Sequence, residues 1–230
     1  MVAYKKKNKK LVIFGTGLIA EEMYHYFSLD SDYDVIGFTV NKNYLKKKFF
    51  LKKKVYPFEN ITKYLNSKKF YLFVAIGYTD LNQLRQKIVN EAKKKKFKIA
   101  SYISSKSSFY SSEKNFENNV ILEHSTIQPT AKIGKNVFIW SNNLIGHHAI
   151  IKDNCYISGH CSVAGSSVIE KNCFVGVNST IVHNVKVGKN CLIGANSLVA
   201  ESISNQSISI PNKTKILKVK NLDIIKKMIK

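Results

Sequence analysis

The sequence predicts a chain of two unlike parts: a small parallel α/β layer over residues 1–105, then an array of six-residue repeats over residues 106–205. A closing segment and a short helix occupy residues 206–230. Three observations carry that division. The stretch "KKLVIFGTGLIAEEMYHYF" sets an apolar strand, a glycine turn and a helix in succession. An Ile or Val recurs at every sixth position from Ile121 to Val199, fourteen times without a slip. At 230 residues and 44% hydrophobic, the chain can bury a core in one large domain or two small ones.

Composition narrows the function classes. No apolar run approaches the roughly 20 residues needed to cross a bilayer, and the basic start "MVAYKKKNKK" leads into a strand-like run, unlike a secretory signal. A cytoplasmic protein without membrane insertion is expected. The formal net charge of +22 raises a nucleic-acid reading. Nearly all of that charge is lysine, with Arg85 the only arginine, and arginine is the side chain that reads guanine edges and clamps phosphates in pairs. The lysines are therefore read as solvated faces, with a secondary role in attracting small anionic substrates, and no nucleic-acid partner is expected.

In the first part, the glycine turn has the form GxGxxA, with Gly15, Gly17 and Ala20, and opens the first helix. Free N–H groups at that helix end make Gly15, Thr16 and Gly17 candidates for holding a phosphate or a sugar. Further strands are expected at Tyr33 to Thr39 and Phe70 to Ile76, a helix near Asp80 to Lys95, and a last strand at Lys98 to Ile103. The second strand ends in "GFTVNK", without the acid expected on a ribose, and the part is too short for two mononucleotide halves. A nucleotide-type acceptor fits better than a redox dinucleotide. "AIGYTDLNQLR" is a second candidate wall of the pocket: Gly77 ends a strand, and Asn82 and Arg85 fall three apart on one helical face. A plain turn and a solvated helix is the competing reading of that stretch.

In the second part, small residues are frequent two positions before each recurring aliphatic (Ser125, Ala131, Ala149, Cys155, Cys161), and glycine often follows it (Gly134, Gly146, Gly176, Gly188, Gly194). An α-helix cannot keep a period of six on one face, and a single flat strand would show a period of two. The pattern resembles the hexapeptide repeat of left-handed parallel β-helices, in which three hexapeptides make one triangular coil with each aliphatic pointing inward. Residues 18 apart then stack at the inter-strand distance of about 5 Å. Cys155, Cys173 and Cys191 form one internal column, with Cys161 at an equivalent place on another face. No C-x-x-C spacing or oxidising compartment is indicated, so the cysteines are read as packing.

The same stacking puts His147 and His148, in "IGHHA", at a coil corner with their rings outward. The His147 column continues to Gly165 and then His183. A second polar column runs His124, Asn142, His160, Asn178 and Asn196. A lone outward histidine is usually a surface residue. One followed at the same corner by a glycine leaves room for a thioester carbonyl to reach a backbone N–H while the imidazole takes a proton.

Over nearly the whole chain, a small Rossmann-like domain followed by hexapeptide coils resembles the bacterial sugar O-acyltransferases, the group containing sialic acid O-acetyltransferases and the acetyltransferases of nucleotide-linked 4-amino sugars. The resemblance implies a homotrimer, a nucleotide-sugar held by the N-terminal domain, acetyl-CoA lying along the β-helix between subunits as acyl donor, a histidine base and no metal. The base falls on His147 and the amide that binds the thioester carbonyl on Gly165, with His183 beside the coenzyme. Many members place Asp or Glu directly after the base; this chain has His148, and either imidazole of the pair is a candidate base. Where an acidic pair often follows the second strand, this chain has Val40 and Asn41, which become the candidate base-binding positions of the nucleotide pocket. His160 and Asn178 are secondary candidates for polar substrate contacts, with structural stacking as the competing reading.

"ISIPNKTKIL" resembles the segment that closes the β-helix beside the coenzyme, which would give Lys213 a coenzyme phosphate to meet, and "NLDIIKKMIK" reads as a short amphipathic helix. The expected activity is acetyl transfer from acetyl-CoA to an amine or hydroxyl of a nucleotide-linked sugar, in bacterial surface polysaccharide or glycan biosynthesis. Two other readings stand beside it. One is a γ-class carbonic-anhydrase-like metalloenzyme, for which His147 and His183 have a two-coil spacing but no third histidine follows closely. The other is a non-enzymatic trimeric scaffold.

Overall fold

The computed structural model of the protein describes residues 7–112, 115–212, 218 and 226. Lys213 and the expected helix of the tail, residue 226 apart, lie outside the described residues.

β1 (Lys9–Phe14) buries all of Leu11 to Phe14, the continuous apolar run of a strand covered on both faces. α1 (Leu18–Leu29) follows the glycine turn and turns Ala20, Met23 and Phe27 inward, spaced three and four apart. Then come β2 (Tyr33–Val40), β3 (Phe49–Phe50), β4 (Lys53–Pro57), β5 (Tyr71–Val74), α2 (Gln83–Lys94) and β6 (Lys98–Ile99). The sheet runs β3-β4-β2-β1-β5-β6 and is parallel except for the β3–β4 hairpin.

Three elements depart from the sequence expectation. The lysine-rich run at residues 46–54, read as solvated, contains β3 and the start of β4, because Phe50 and Val55 supply enough inward surface to hold a hairpin on the sheet edge. α2 begins only at Gln83, since Asp80, Leu81 and Asn82 adopt positive φ (52°, 43° and 69°), outside the helical region. The strand expected at Lys98 to Ile103 splits: β6 stays in the α/β sheet, whereas Tyr102–Ile103 pairs in parallel with Val120–Ile121 and starts the coils.

From there the chain winds as a left-handed parallel β-helix with three faces. Among the described residues the first face has seven two-residue strands, from Tyr102–Ile103 to Ile208–Ser209; the second has six, from Ser108–Phe109 to Leu198–Val199; the third has four, from Lys132–Ile133 to Lys186–Val187. Successive strands pair 18 residues apart, Thr126 with Leu144, Leu144 with Ser162 and Ser162 with Thr180, until the last coil, where Leu192 pairs with Ile208. The recurring aliphatics point inward, and Ile127, Ile145, Val163 and Ile181 are fully buried, each contributing about 1.5–3 kcal/mol. Cys155, Cys161, Cys173 and Cys191 are buried and free, each thiol donating to a backbone carbonyl oxygen (Glu170, Gly176, Gly188 and Ser204) at 3.0–3.1 Å.

One residue in every six, from Asn118 to Asn196, has φ between 57° and 68° at a coil corner. Most are asparagine, with His124, His148 and His160 among the rest, the residue types that best tolerate the left-handed region. The polar column read from the sequence as His124, Asn142, His160, Asn178 and Asn196 has this conformational origin. Within one of them, Asn178 Nδ2 donates to Asn196 Oδ1 at 2.8 Å.

The α/β layer sits on the first face of the coils. Phe73 of β5 stacks on Phe138 with ring centroids 5.9 Å apart and planes 11° from parallel. Leu11, Phe73, Val120, Leu122 and Tyr156 belong to the same apolar cluster, so one core spans the two parts.

Candidate active site

The corner between the second and third faces is the apex of the triangle opposite the α/β layer. It carries Gly146, His147, His148 and Ala149, between strands Leu144–Ile145 and Ile150–Ile151. The preceding coil fixes its backbone: His147 N–H donates to Gln128 Oε1 at 2.8 Å and His148 N–H to Thr130 Oγ1 at 3.0 Å. Both imidazoles are exposed. His148 takes the left-handed position (φ 59°), and the two rings meet edge to face with centroids 5.3 Å apart and Nδ1 atoms 3.0 Å apart.

The His147 ring lies against Gly165 of the next coil, so closely that a Cβ there would stand 2.7 Å from both Cε1 and Nε2. No acceptor among the described residues takes the Gly165 N–H, whereas the following amide, of Ser166, donates to His147 O at 2.9 Å. The His183 ring lies 6.3 Å from that of His147. The structure thus brings His147, His148, Gly165 and His183 together: an imidazole, a second imidazole against its Nδ1, and a glycine with an uncommitted backbone donor packed against its ring. Among the described residues no three His, Cys, Asp or Glu side chains gather as a metal site.

At the other end of the molecule's chemistry, Gly15 adopts φ 124° to make the turn, its N–H donating to Thr39 O at 2.9 Å. Gly17 caps α1 without a side-chain hydrogen bond, which leaves first-turn N–H groups open to a ligand. Beside this loop, at the carboxyl ends of β1 and β2, is a cleft of about 220 Å³ lined by Thr16, Val40, Tyr44, Lys46, Lys47 and Phe49, among others. Ligands of open α/β sheets bind at that end of the strands. Asn41 follows Val40, with its Oδ1 buried and unpartnered. A larger hollow of about 470 Å³, near Asp30 and Ser101, lies at the opposite strand ends, and its carboxylates are engaged: Asp30 by Tyr102 Oη and Ser105 N–H, Asp32 by Lys9.

Tyr44, Lys46, Lys47, Phe49, Phe50 and Val55 are the cleft residues that sequence reasoning missed. The signal was present, aromatics interleaved with lysines directly after the second strand, but the run was read as a solvated face.

Two sequence-predicted groups do not belong to a pocket. Arg85 is fully buried. Its Nε donates to Asn136 Oδ1 (3.0 Å), Nη1 to Gly77 O (2.8 Å) and Ile76 O (3.3 Å), and Nη2 to Asn136 O (3.1 Å) and Cys155 O (3.3 Å). Its guanidinium also lies 4.1 Å over the Phe138 ring. Burial pushes its pKa down to about 9, which still leaves it charged at neutral pH. Asn82 is fully buried as well and donates from Nδ2 to Cys173 O at 3.2 Å. The helical face that carries Arg85 is turned into the coils, so Gly77, Asn82 and Arg85 form a clasp between the two parts of the chain, not a substrate wall. His160 and Asn178 sit at the apex between the first and second faces, away from His147, where their left-handed backbone accounts for them.

Within one chain the glycine loop and His147 are not brought together. The turn after β5 faces the first face, where Tyr78 contacts Tyr156 and Phe174 at 5.2 and 4.6 Å. His147 occupies the apex opposite that face.

Residues 130–165 and 166–201 match the bacterial transferase hexapeptide family (six repeats). No curated protein matches the sequence. Among solved structures, the chain is similar to a variant of perosamine N-acetyltransferase from Caulobacter crescentus in complex with CoA and GDP-perosamine (TM-score 0.74, 20% identity, 93% of this chain and 99% of that chain). It is similar to the acetyltransferase domain of PglB from Neisseria gonorrhoeae FA1090 in complex with acetyl coenzyme A (TM-score 0.73, 17% identity, 87% and 95%). It is also similar to WeeI from Acinetobacter baumannii AYE (TM-score 0.77, 16% identity, 91% and 100%). Residues 130–201 therefore carry bacterial transferase hexapeptide repeats, and the chain as a whole, α/β layer included, shares the fold of these solved structures.

Proposed function

We propose that the protein transfers the acetyl group of acetyl-CoA to an amine or hydroxyl of a nucleotide-linked sugar, with His147 as general base. The observation that carries this reading is the uncommitted Gly165 N–H beside the His147 ring. A thioester carbonyl oxygen bound to that amide puts its carbon within reach of a nucleophile whose proton points at His147 Nε2. His147 takes the proton as the nucleophile adds to the carbonyl carbon, and the oxyanion is held by Gly165. The tetrahedral species then collapses with cleavage of the C–S bond, and the imidazolium returns the proton to the departing thiolate, giving the acetylated sugar and CoA. Holding both substrates in one crevice supplies roughly 7 kcal/mol or more of proximity, and one oxyanion donor about 3 kcal/mol.

The nucleotide belongs in the cleft at Gly15, Thr16, Gly17, Val40 and Asn41, where Lys46 and Lys47 add positive charge for a diphosphate. Because that cleft and His147 lie on opposite sides of one chain, a second copy must complete the site, and a homotrimer of coils is the assembly proposed. Similar proteins named as a perosamine N-acetyltransferase with CoA and GDP-perosamine, and as an acetyltransferase domain with acetyl coenzyme A, agree with this choice of substrates. The biological setting proposed is surface-glycan synthesis in the cytoplasm.

The test is a panel of amino- and hydroxy-sugar nucleotides incubated with acetyl-CoA, following free thiol. Acceptor-dependent thiol release that His147→Ala abolishes is the expected result. Thiol release undiminished in that variant would remove His147 as the base, and no release with any acceptor would remove the reaction.

A further inference from the structure

Resting on the reading of His147 as the base, we infer that His148 is its positioning residue. Its Nδ1 accepts a hydrogen bond from His147 Nδ1–H and so selects the tautomer whose Nε2 is free to take a proton. Two imidazole Nδ1 atoms 3.0 Å apart need one proton between them. With His147 as donor, Nε2 carries the lone pair, on the side of the ring where Gly165 packs against its face. With His148 as donor, His147 would carry its proton on Nε2 and could accept none. Only the first arrangement makes His147 the base; the second would put the free Nε2 on His148.

The coil corners stacked directly on His148, residues 128–131 and 164–167, contain no titratable side chain; one coil further, the described titratable residues are His183 on one side and Tyr110 on the other. Gln128 Oε1 and Thr130 Oγ1 are already engaged by the backbone amides of the pair. The strands leaving these corners carry Lys132 and Lys186, both exposed, and Glu201 stands one coil beyond His183. Among the described residues, His148 is therefore the side-chain acceptor that meets His147 Nδ1. A neutral imidazole orients the base as a carboxylate would, without adding a negative charge that favours the protonated form.

The substitutions that test this are compatible with the backbone, because Ser166 and Asn184 hold the same column with φ of 59° and 61°. His148→Ser keeps the left-handed corner and cannot reach Nδ1. His148→Asn restores a neutral acceptor, and His148→Asp a charged one. With acetyl-CoA and the acceptor identified above, His148→Ser is expected to lower kcat at least about tenfold with KM for acetyl-CoA and melting temperature unchanged. His148→Asn regains most of that loss. His148→Asp regains it and moves the acid limb of the pH–rate profile to higher pH, because the added carboxylate favours the imidazolium and the base must be neutral to act.

An independent readout needs no substrate: imidazole ¹⁵N spectra of the full chain show His147 protonated on Nδ1 in the parent protein and a tautomer mixture in His148→Ser. Full kcat together with an unchanged His147 tautomer in His148→Ser overturns the inference. So does a loss in His148→Ser that neither Asn nor Asp repairs, which would make His148 itself the base. A fully active His147→Ala instead removes the reading on which the inference rests, so the two failures are told apart.

Discussion

Gly165 and His147 are packed so tightly that a methyl group on Gly165 would stand 2.7 Å from the imidazole's Cε1 and Nε2. The obstacle is the end of an exposed side chain, which can swing outward. Gly165→Ala should therefore fold with nearly unchanged melting temperature while losing on the order of a hundredfold in kcat, as the base leaves the amide it works beside. Gly146 makes the contrast, since a Cβ there would meet Gly165 N at 2.5 Å and Ala164 C at 2.9 Å, all backbone. Gly146→Ala should cost about 1–3 kcal/mol of stability by urea unfolding. Equal loss of stability in both variants would contradict this account.

Arg85 is expected to matter for folding and not for acceptor recognition. Arg85→Met leaves the carbonyls of Gly77 and Asn136 without a donor among the described residues, whereas Asn136 Oδ1 and Cys155 O keep Asn118 Nδ2 and Phe138 N–H; with the lost packing and cation–ring contact this costs about 3 kcal/mol or more. Arg85→Lys should recover little of it, because a single ammonium cannot serve acceptors spread around a planar fork. Denaturant midpoints test this; a raised acceptor KM at normal stability would return Arg85 to the pocket.

Lys46 and Lys47 line the cleft beside the helix-opening loop. Replacing both with alanine should raise KM for a nucleotide-linked acceptor about tenfold, leave KM for acetyl-CoA unchanged, and weaken the salt dependence of acceptor binding. Initial rates at low and high ionic strength measure all three.

The Glu170 carboxyl is held below the ordinary carboxylate range by its hydrogen bond from Lys152 Nζ (2.7 Å), against partial desolvation, with Lys186 at 3.8 Å adding to the effect. A carboxyl whose pKa is lower in the folded state stabilises the fold above its unfolded value, about 4.3, and that contribution disappears as pH falls through the folded value. Glu170→Gln should be less stable by about 0.5–1 kcal/mol at neutral pH, with the difference disappearing as pH falls through the lowered folded-state value. Urea midpoints across that range check it, and a difference independent of pH would exclude the ion pair as its source.

The coils were legible because one constraint repeats: every turn must present an aliphatic inward, so Ile121 to Val199 announce both period and register. The histidine corner followed from the same arithmetic, which set His147 against Gly165 before any coordinates. What the arithmetic did not convey was backbone conformation. Asn142, His160 and Asn178 look like a ligand ladder until their positive φ shows a local steric cause.

The α/β layer was less transparent, since the inward residues of β3 and β4 are outnumbered by lysines and no alternation survives. Arg85 carried an unread signal: in a chain with 37 basic residues it is the single arginine, at the one place where several fixed acceptors converge on a buried cation.

The eighteen-residue winding also makes distance along the molecule come in whole steps. Adding one full turn between His147 and Gly165 would keep every inward side chain inward, yet would carry the amide one rung away from the imidazole, about 4.8 Å. The scaffold can be lengthened without being redesigned, but chemistry written across two adjacent rungs tolerates no such insertion.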